Sequence, residues 1–82
     1  MTWNYRLVRI PSGEKDETYY RIHEAFYEND GRCYAVTMDG VDIGGETIEE
    51  CKRAYKMMSE AFNKPVLDYE TREDLPDARQ TL

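Results

Sequence analysis

Few residues of this chain belong to the types that carry catalysis or bind metal. There is one histidine, His23, and there are two cysteines, Cys33 and Cys51. These three side chains could supply zinc ligands, but no two of them lie at the close spacing that structural zinc sites use. Glu24 follows His23 directly, yet neighbouring residues of a strand point to opposite faces, so the two do not form an acid/base pair. We therefore predict no metal, no cofactor and no catalytic residue.

A glycine-containing loop carries three carboxylates, Asp39, Asp42 and Glu46. A calcium loop of the EF-hand type needs oxygen ligands at alternate positions and a closing glutamate, and Val41 and Ile43 interrupt that pattern. We expect these carboxylates to form turns and to interact with a helix dipole.

The Gly44-Gly45 pair precedes a predicted helix, as the glycines of a phosphate-binding loop do. It lacks the lysine and the spacing of a P-loop, and it lacks the third glycine of a dinucleotide fingerprint. Glu46, Glu49 and Glu50 would also repel a phosphate from that helix start. The pair therefore predicts a turn and no phosphate site.

Length and charge narrow the classes of function. A chain of 82 residues forms one small domain. Its net charge of −6 argues against direct binding to nucleic acid; it favours a basic partner or serves only solubility. No apolar run is long enough for a membrane span, and no secretory signal begins the chain. Since two unpaired cysteines suit a reducing compartment, we expect a cytoplasmic protein.

The helix is the clearest element of the sequence. Thr47 is a good N-cap, and Glu50, three residues later, completes a capping box. The helix is predicted to run from about residue 48 to 62 and to stop before Pro65. Spacings of three and four predict an apolar stripe that faces the core; it consists of Ile48, Cys51, Tyr55, Met58 and Phe62.

Three strands are predicted before the helix, over residues 3–10, 19–27 and 33–38. The Asn-Asp-Gly triplet that ends at Gly31 predicts a hairpin turn with a positive φ at the glycine. Residues 65–69 are a fourth short strand or an extended segment. The fold class is therefore α+β, a three-stranded antiparallel meander with one amphipathic helix on one face.

The domain is predicted to occupy residues 1–70. Residues 71–82 are charged and nearly free of large apolar side chains, so we expect them to form a mobile acidic tail.

Both faces of the second strand are partly apolar, whereas one helix covers only one face of a small sheet. Since tyrosine is enriched at binding surfaces and the chain has seven, the uncovered face is a candidate interface. The alternative is that several tyrosines cap the edges of a thin core. The candidate interface residues are Tyr19, His23, Ala25 and Tyr27.

The segment from Gly45 to Cys51, which follows three strands and opens a helix, resembles the corresponding segment of HicB-like antitoxin domains. This resemblance implies a truncated ribonuclease-H-like sheet, frequent dimerisation and, in the founding members, neutralisation of a small basic ribonuclease toxin. The whole chain also resembles a group of small solitary bacterial proteins that begin with a Trp-Asn-Tyr-Arg strand and end near Pro-Val-Leu-Asp.

We therefore expect a non-enzymatic protein-interaction module, of which an antitoxin-like inhibitor of a basic partner is one form. A self-associating homodimer with no other partner is the first alternative, and a small enzyme is the second. Neither nucleic acid nor membrane is an expected partner.

Overall fold

Two long strands form the centre of the sheet. β1 spans Thr2–Pro11, β2 spans Thr18–Tyr27, and the two pair antiparallel from Thr2 opposite Tyr27 to Pro11 opposite Thr18. The computed structural model describes residues 2–11 and 17–75. Part of the predicted loop between these strands, residues 12–16, lies outside the described residues.

The hairpin turn after β2 has the predicted conformation. Gly31 has a φ of +88°, which confirms the positive φ expected there, and its N–H donates to the Glu28 carbonyl at 2.9 Å. β3 then spans Cys33–Val36 and pairs antiparallel with β2. A bulge between Phe26 and Tyr27 shifts the register of this pairing.

Helix α1 spans Ile48–Ser59 and continues as a 3₁₀ helix over Glu60–Asn63. β4, Val66–Asp68, and β5, Asp74–Leu75, complete a sheet of order β3-β2-β1-β4-β5. β4 runs parallel to β1, so the sheet is mixed. The α+β class is as predicted, and β4 lies in the segment 65–69 for which a fourth short strand was one of two predictions. The sheet has five strands instead of the predicted three-stranded meander because the chain returns to β1 after the helix.

The helix begins at the predicted N-cap, Thr47, but the return bond of the predicted capping box goes to the N–H of Glu46 and not to that of Thr47. Thr47 Oγ1 accepts a hydrogen bond from the N–H of Glu50 at 3.1 Å, and Glu50 Oε2 accepts one from the N–H of Glu46 at 3.0 Å. Gly45 allows this arrangement, because a Cβ at that position would lie 2.6 Å from the Cβ of Glu50.

The hydrophobic core lies on one side of the sheet, which we call the inner face. Val8, Ala25, Cys33 and Leu67 are buried there. Since Val66 alternates with Leu67, it is buried on the opposite side, the outer face. Partly buried side chains border the inner core: Ile10, Tyr27, Val36 and Tyr69.

The predicted apolar stripe of α1 is wrong for most of its members. Met58 is the one buried residue of the helix, whereas Ile48 is 74%, Tyr55 63% and Phe62 42% exposed. Met58 and the fully buried Ala61 of the 3₁₀ helix, which packs against β1, lie at the C-terminal end. Because the helix meets the sheet by this end, the first turns keep their apolar side chains in solvent.

Residues 71–75 of the predicted tail take part in the described structure. Asp74 and Leu75 form β5 on β4, and Arg72 is half-buried. The rest of the predicted tail, residues 76–82, lies outside the described residues.

Because Met58 is buried and Ile48 is exposed, replacing each with alanine should change the free energy of unfolding by different amounts. Met58→Ala should lower the free energy of unfolding by about 2–5 kcal/mol because it empties a buried site. Ile48→Ala should change it by no more than about 0.5 kcal/mol, since this side chain is largely exposed. Urea unfolding of the two variants measures the difference, and equal losses would contradict the observed packing of the helix.

Candidate functional site

Arg6 lies buried on the inner face in the middle of β1, opposite His23 of β2. Its Nη1 donates to the Tyr27 hydroxyl at 2.9 Å. Its Nη2 donates to the Pro65 carbonyl at 2.6 Å and to Asp74 Oδ1 at 2.7 Å. One guanidinium therefore joins the two central strands to the segment that enters β4 and to β5.

The surroundings of Arg6 keep it charged. Burial opposes the charge, but hydrogen bonds to Asp74 and Tyr27 and the nearby charges outweigh burial and raise the pKa of Arg6 above its ordinary value. The Tyr27 hydroxyl that accepts from Arg6 donates in turn to Asn4 Oδ1 at 2.7 Å. Arg6 is thus a permanent buried cation within a hydrogen-bond network.

A tight turn between β4 and β5 is organised by Asp68. Its carboxylate accepts hydrogen bonds from the N–H groups of Thr71 at 2.8 Å and Glu70 at 3.0 Å. The hydrogen bond from the Thr71 backbone is the largest cause that lowers the pKa of Asp68 below 3.8, and Arg9 adds to it while burial opposes it. The ionised carboxylate is therefore the form that holds the turn.

Arg72 ends this turn in an unusual backbone conformation. Its φ is +62°, the one positive value at a non-glycine residue among residues 2–11 and 17–75. Its N–H donates to the Asp68 carbonyl at 2.8 Å, and its Nη1 donates to the Glu70 carbonyl at 3.2 Å. Because left-handed backbone is costly for a residue with a Cβ, this turn stores strain at Arg72.

Two adjoining cavities of about 250 and 360 Å³ lie between the β2–β3 turn and the Asp68 turn. Both are lined by Arg32, Cys33, Arg72 and Glu73, and the smaller one also reaches Arg6 and Tyr27. We call this region the arginine cleft, after Arg6, Arg32 and Arg72.

Sequence analysis missed the arginine cleft. Its arginines come from three separate elements, and only the return of the chain to β1 brings the third one near the other two. The single local signal is Arg6, which takes an inward position of β1 between Asn4 and Val8.

The predicted interface residues share the inner face. His23 and Ala25 are fully buried, Tyr27 is half-buried, and Tyr19 is exposed. His23 Nδ1 lies 2.9 Å from the Thr37 carbonyl, so Nδ1 carries the proton in this contact.

The chain itself closes this face over His23. The ring of Tyr69 lies 5.9 Å from the ring of His23, and the Tyr69 hydroxyl donates to the Met38 carbonyl at 3.4 Å. His23 and Ala25 therefore have no surface for a partner here, and an interface must use other residues.

The other residues considered in the sequence analysis as metal ligands or catalytic groups are not grouped into one site. Cys33 is in the inner core and Cys51 on α1, and both are unpaired. Asp42 pairs with Arg21 at 3.7 Å. Within residues 2–11 and 17–75, no three His, Cys, Asp or Glu side chains are grouped to hold a metal ion. The helices of these same segments are all too short or too polar to cross a membrane.

The outer side of the molecule exposes large apolar side chains. A groove of about 250 Å³ separates Trp3 and Tyr5 of β1 from Met57 of α1, and Trp3 packs edge-on against Tyr5 at 5.2 Å between ring centroids. Several other exposed apolar residues belong to α1 and the 3₁₀ helix; these are Ile48, Tyr55 and Phe62.

Comparison with protein-family models, with curated proteins and with solved structures finds no match for this chain.

Replacing Arg6 should be among the most damaging changes in the chain. Arg6→Met keeps the length of the side chain but removes three hydrogen bonds to three different segments, so we expect a loss of about 3 kcal/mol in the free energy of unfolding. Asp74→Asn should cost less, since the amide oxygen still accepts from Arg6. Chemical denaturation compares the two, and an Arg6→Met protein as stable as Asp74→Asn would contradict the network.

Because Asp68 holds its turn in the ionised form, the free energy of unfolding should decrease at acid pH. Because the folded-state pKa of Asp68 lies below its ordinary value of 3.8, the stability it contributes is complete above that value and is lost as the pH falls through the folded-state pKa. Asp68→Asn should therefore lose less stability than the wild type on acidification. Free energies of unfolding measured between about pH 6 and pH 2 check this, and identical acid slopes would refute it.

Proposed function

We propose that this protein is a non-enzymatic interaction module that pairs with a second copy of itself through the exposed side of α1. The observation that carries this proposal is the exposure of Ile48, Tyr55 and Phe62 along one side of the helix and its 3₁₀ extension. Apolar side chains concentrated in one area of a surface are typical of interaction sites.

The spacing of these three residues supports a symmetric contact. Ile48 and Phe62 lie seven residues on either side of Tyr55, so they repeat every two helical turns along about 21 Å of helix. A two-fold axis near Tyr55 would place Ile48 of one copy beside Phe62 of the other. An isologous interface needs such a self-complementary patch, because each surface meets its own copy.

The charges of α1 support the same arrangement. Glu49 and Glu50 lie in the first turn and Lys56 lies in the last. Two helices that cross antiparallel bring the acidic start of one near the basic end of the other, which also pairs their dipoles favourably. Lys52 and Glu49, whose charged groups are 3.9 Å apart, are both largely exposed and lie on the same helix as these three apolar residues.

A second candidate is the antitoxin-like inhibitor of a basic partner that the resemblance to HicB-like domains implies. The net charge of −6 favours it, as does the helix N-cap at Thr47, which follows three strands. The groove beside Trp3 and Met57 is lined by one acidic side chain, Glu60, and one basic side chain, Lys64, so it favours an apolar group and does not add to the case for a basic one.

Sedimentation equilibrium of the wild type and of a Tyr55→Ser/Phe62→Ser variant tests self-association. The variant should weaken the dimer by about 2 kcal/mol or more, because aromatic residues at the centre of an interface carry much of its energy. Its far-UV circular dichroism should stay that of a folded protein, since both side chains are exposed.

Tyr19→Ser is the matched control, because Tyr19 is an exposed tyrosine at the far end of β2. It should associate as the wild type does. A wild-type protein that stays monomeric at high concentration would refute the proposed pairing, and a stable complex of that monomer with a basic protein would then favour the second candidate.

A further inference from the structure

Three arginines line one cleft of a chain whose net charge is −6. From this cluster we propose that the arginine cleft binds a small oxyanion, either a carboxylate or a phosphate. The proposal does not depend on self-association, because the cleft lies on the inner face and α1 lines neither of its cavities.

Arg6 provides a donor built into the wall of the cleft. Its side chain is only 8% exposed, and its Nε is buried with no hydrogen-bond partner among residues 2–11 and 17–75. Buried donors of folded proteins are almost always paired, and a donor on an arginine is the more costly to leave without an acceptor. Because this Nε has almost no accessible surface, an oxyanion in the adjoining cavity would accept from it only after the guanidinium turns toward the cavity.

Arg72 provides a second donor of the same kind. Its Nε is likewise buried and has no partner within the described segments. The turn holds this residue at a φ of +62°, where glycine or asparagine would be less strained. Strained backbone of this kind is concentrated at functional sites, and here it brings a guanidinium to the cleft.

The charged side chains that line the cleft have a net positive charge, which favours an anion. Glu73 and Asp74 are the two carboxylates that line it against three arginines, and Asp74 is already paired with Arg6 at 2.7 Å. Arg32 has its backbone N–H bound to Asp30 Oδ1 at 2.9 Å, which fixes the turn that carries it. The local balance is therefore positive in an acidic protein.

The chemistry of the donors selects the ligand class. Guanidinium N–H groups match the oxygens of carboxylates and phosphates in both charge and geometry. A water molecule occupies about 30 Å³ of liquid, so the smaller cavity of about 250 Å³ has space for a phosphate or a short dicarboxylate.

Nitrogen–proton NMR spectra that resolve arginine Nε–Hε signals test the proposal at the atoms concerned. The full chain is titrated separately with inorganic phosphate and with succinate. Saturable shifts of the Arg6 and Arg72 Nε–Hε signals with either probe are the expected result. Saturation by phosphate alone would assign a tetrahedral anion, and saturation by succinate alone would assign a carboxylate.

Arg72→Gly separates binding from folding, because glycine suits the positive φ while the guanidinium is lost. It should keep a folded spectrum and bind the successful probe about tenfold more weakly or worse, as expected for the loss of a charged hydrogen bond. Arg32→Gln, outside the strained turn, should weaken binding too.

Arg53→Gln is the control, since Arg53 is an exposed arginine of α1 that does not line the cleft. It should bind as the wild type does. The proposal is overturned if neither probe gives saturable shifts, or if Arg53→Gln reduces binding as much as Arg72→Gly and Arg32→Gln do.

Discussion

The guanidinium of Arg6 is the contact on which the arrangement of this small domain depends. Its two Nη atoms reach Tyr27 of β2, the carbonyl of Pro65 ahead of β4, and Asp74 of β5. β4 and β5 have only three and two residues, so backbone pairing alone gives them little stability. A buried cation that must find acceptors fixes their place beside β1, because any other position would leave that charge unpaired.

This polar centre also explains why the helix is so exposed. The inner face is filled by Val8, Ala25 and Leu67 together with the fully buried His23, and it is closed by Tyr69 and the segment after β3. The helix is left with the outer face, which it meets mainly through Met58 and the 3₁₀ helix that follows. Because the core is complete without the first turns of α1, the apolar side chains of those turns stay exposed and can contact another molecule.

Sequence analysis predicted the local features of this fold and missed those that depend on distant contacts. The N-cap at Thr47 and the positive φ of Gly31 followed from neighbouring residues, and both are present. The prediction that Ile48 and Phe62 face the core was wrong, because helical spacing shows which residues share a side of the helix but does not show what covers that side. Apart from the inward position of Arg6 in β1, the arginine cleft had no local pattern, since the parallel pairing of β4 with β1 is what brings Arg72 near Arg6 and Arg32.

The two ends of the sheet have a consequence for how copies of the chain can aggregate. β3 offers four residues and sits next to a bulge, and β5 offers only two. Short or irregular edge strands are poor templates for the addition of another strand, whereas long flat ones extend readily into fibrils. The long strands β1 and β2 pair with each other along their whole length, whereas β4 pairs only with Val8 and Arg9 of β1, and β3 only with residues 25–27 of β2. Growth of the sheet from molecule to molecule is therefore disfavoured at β3 and β5.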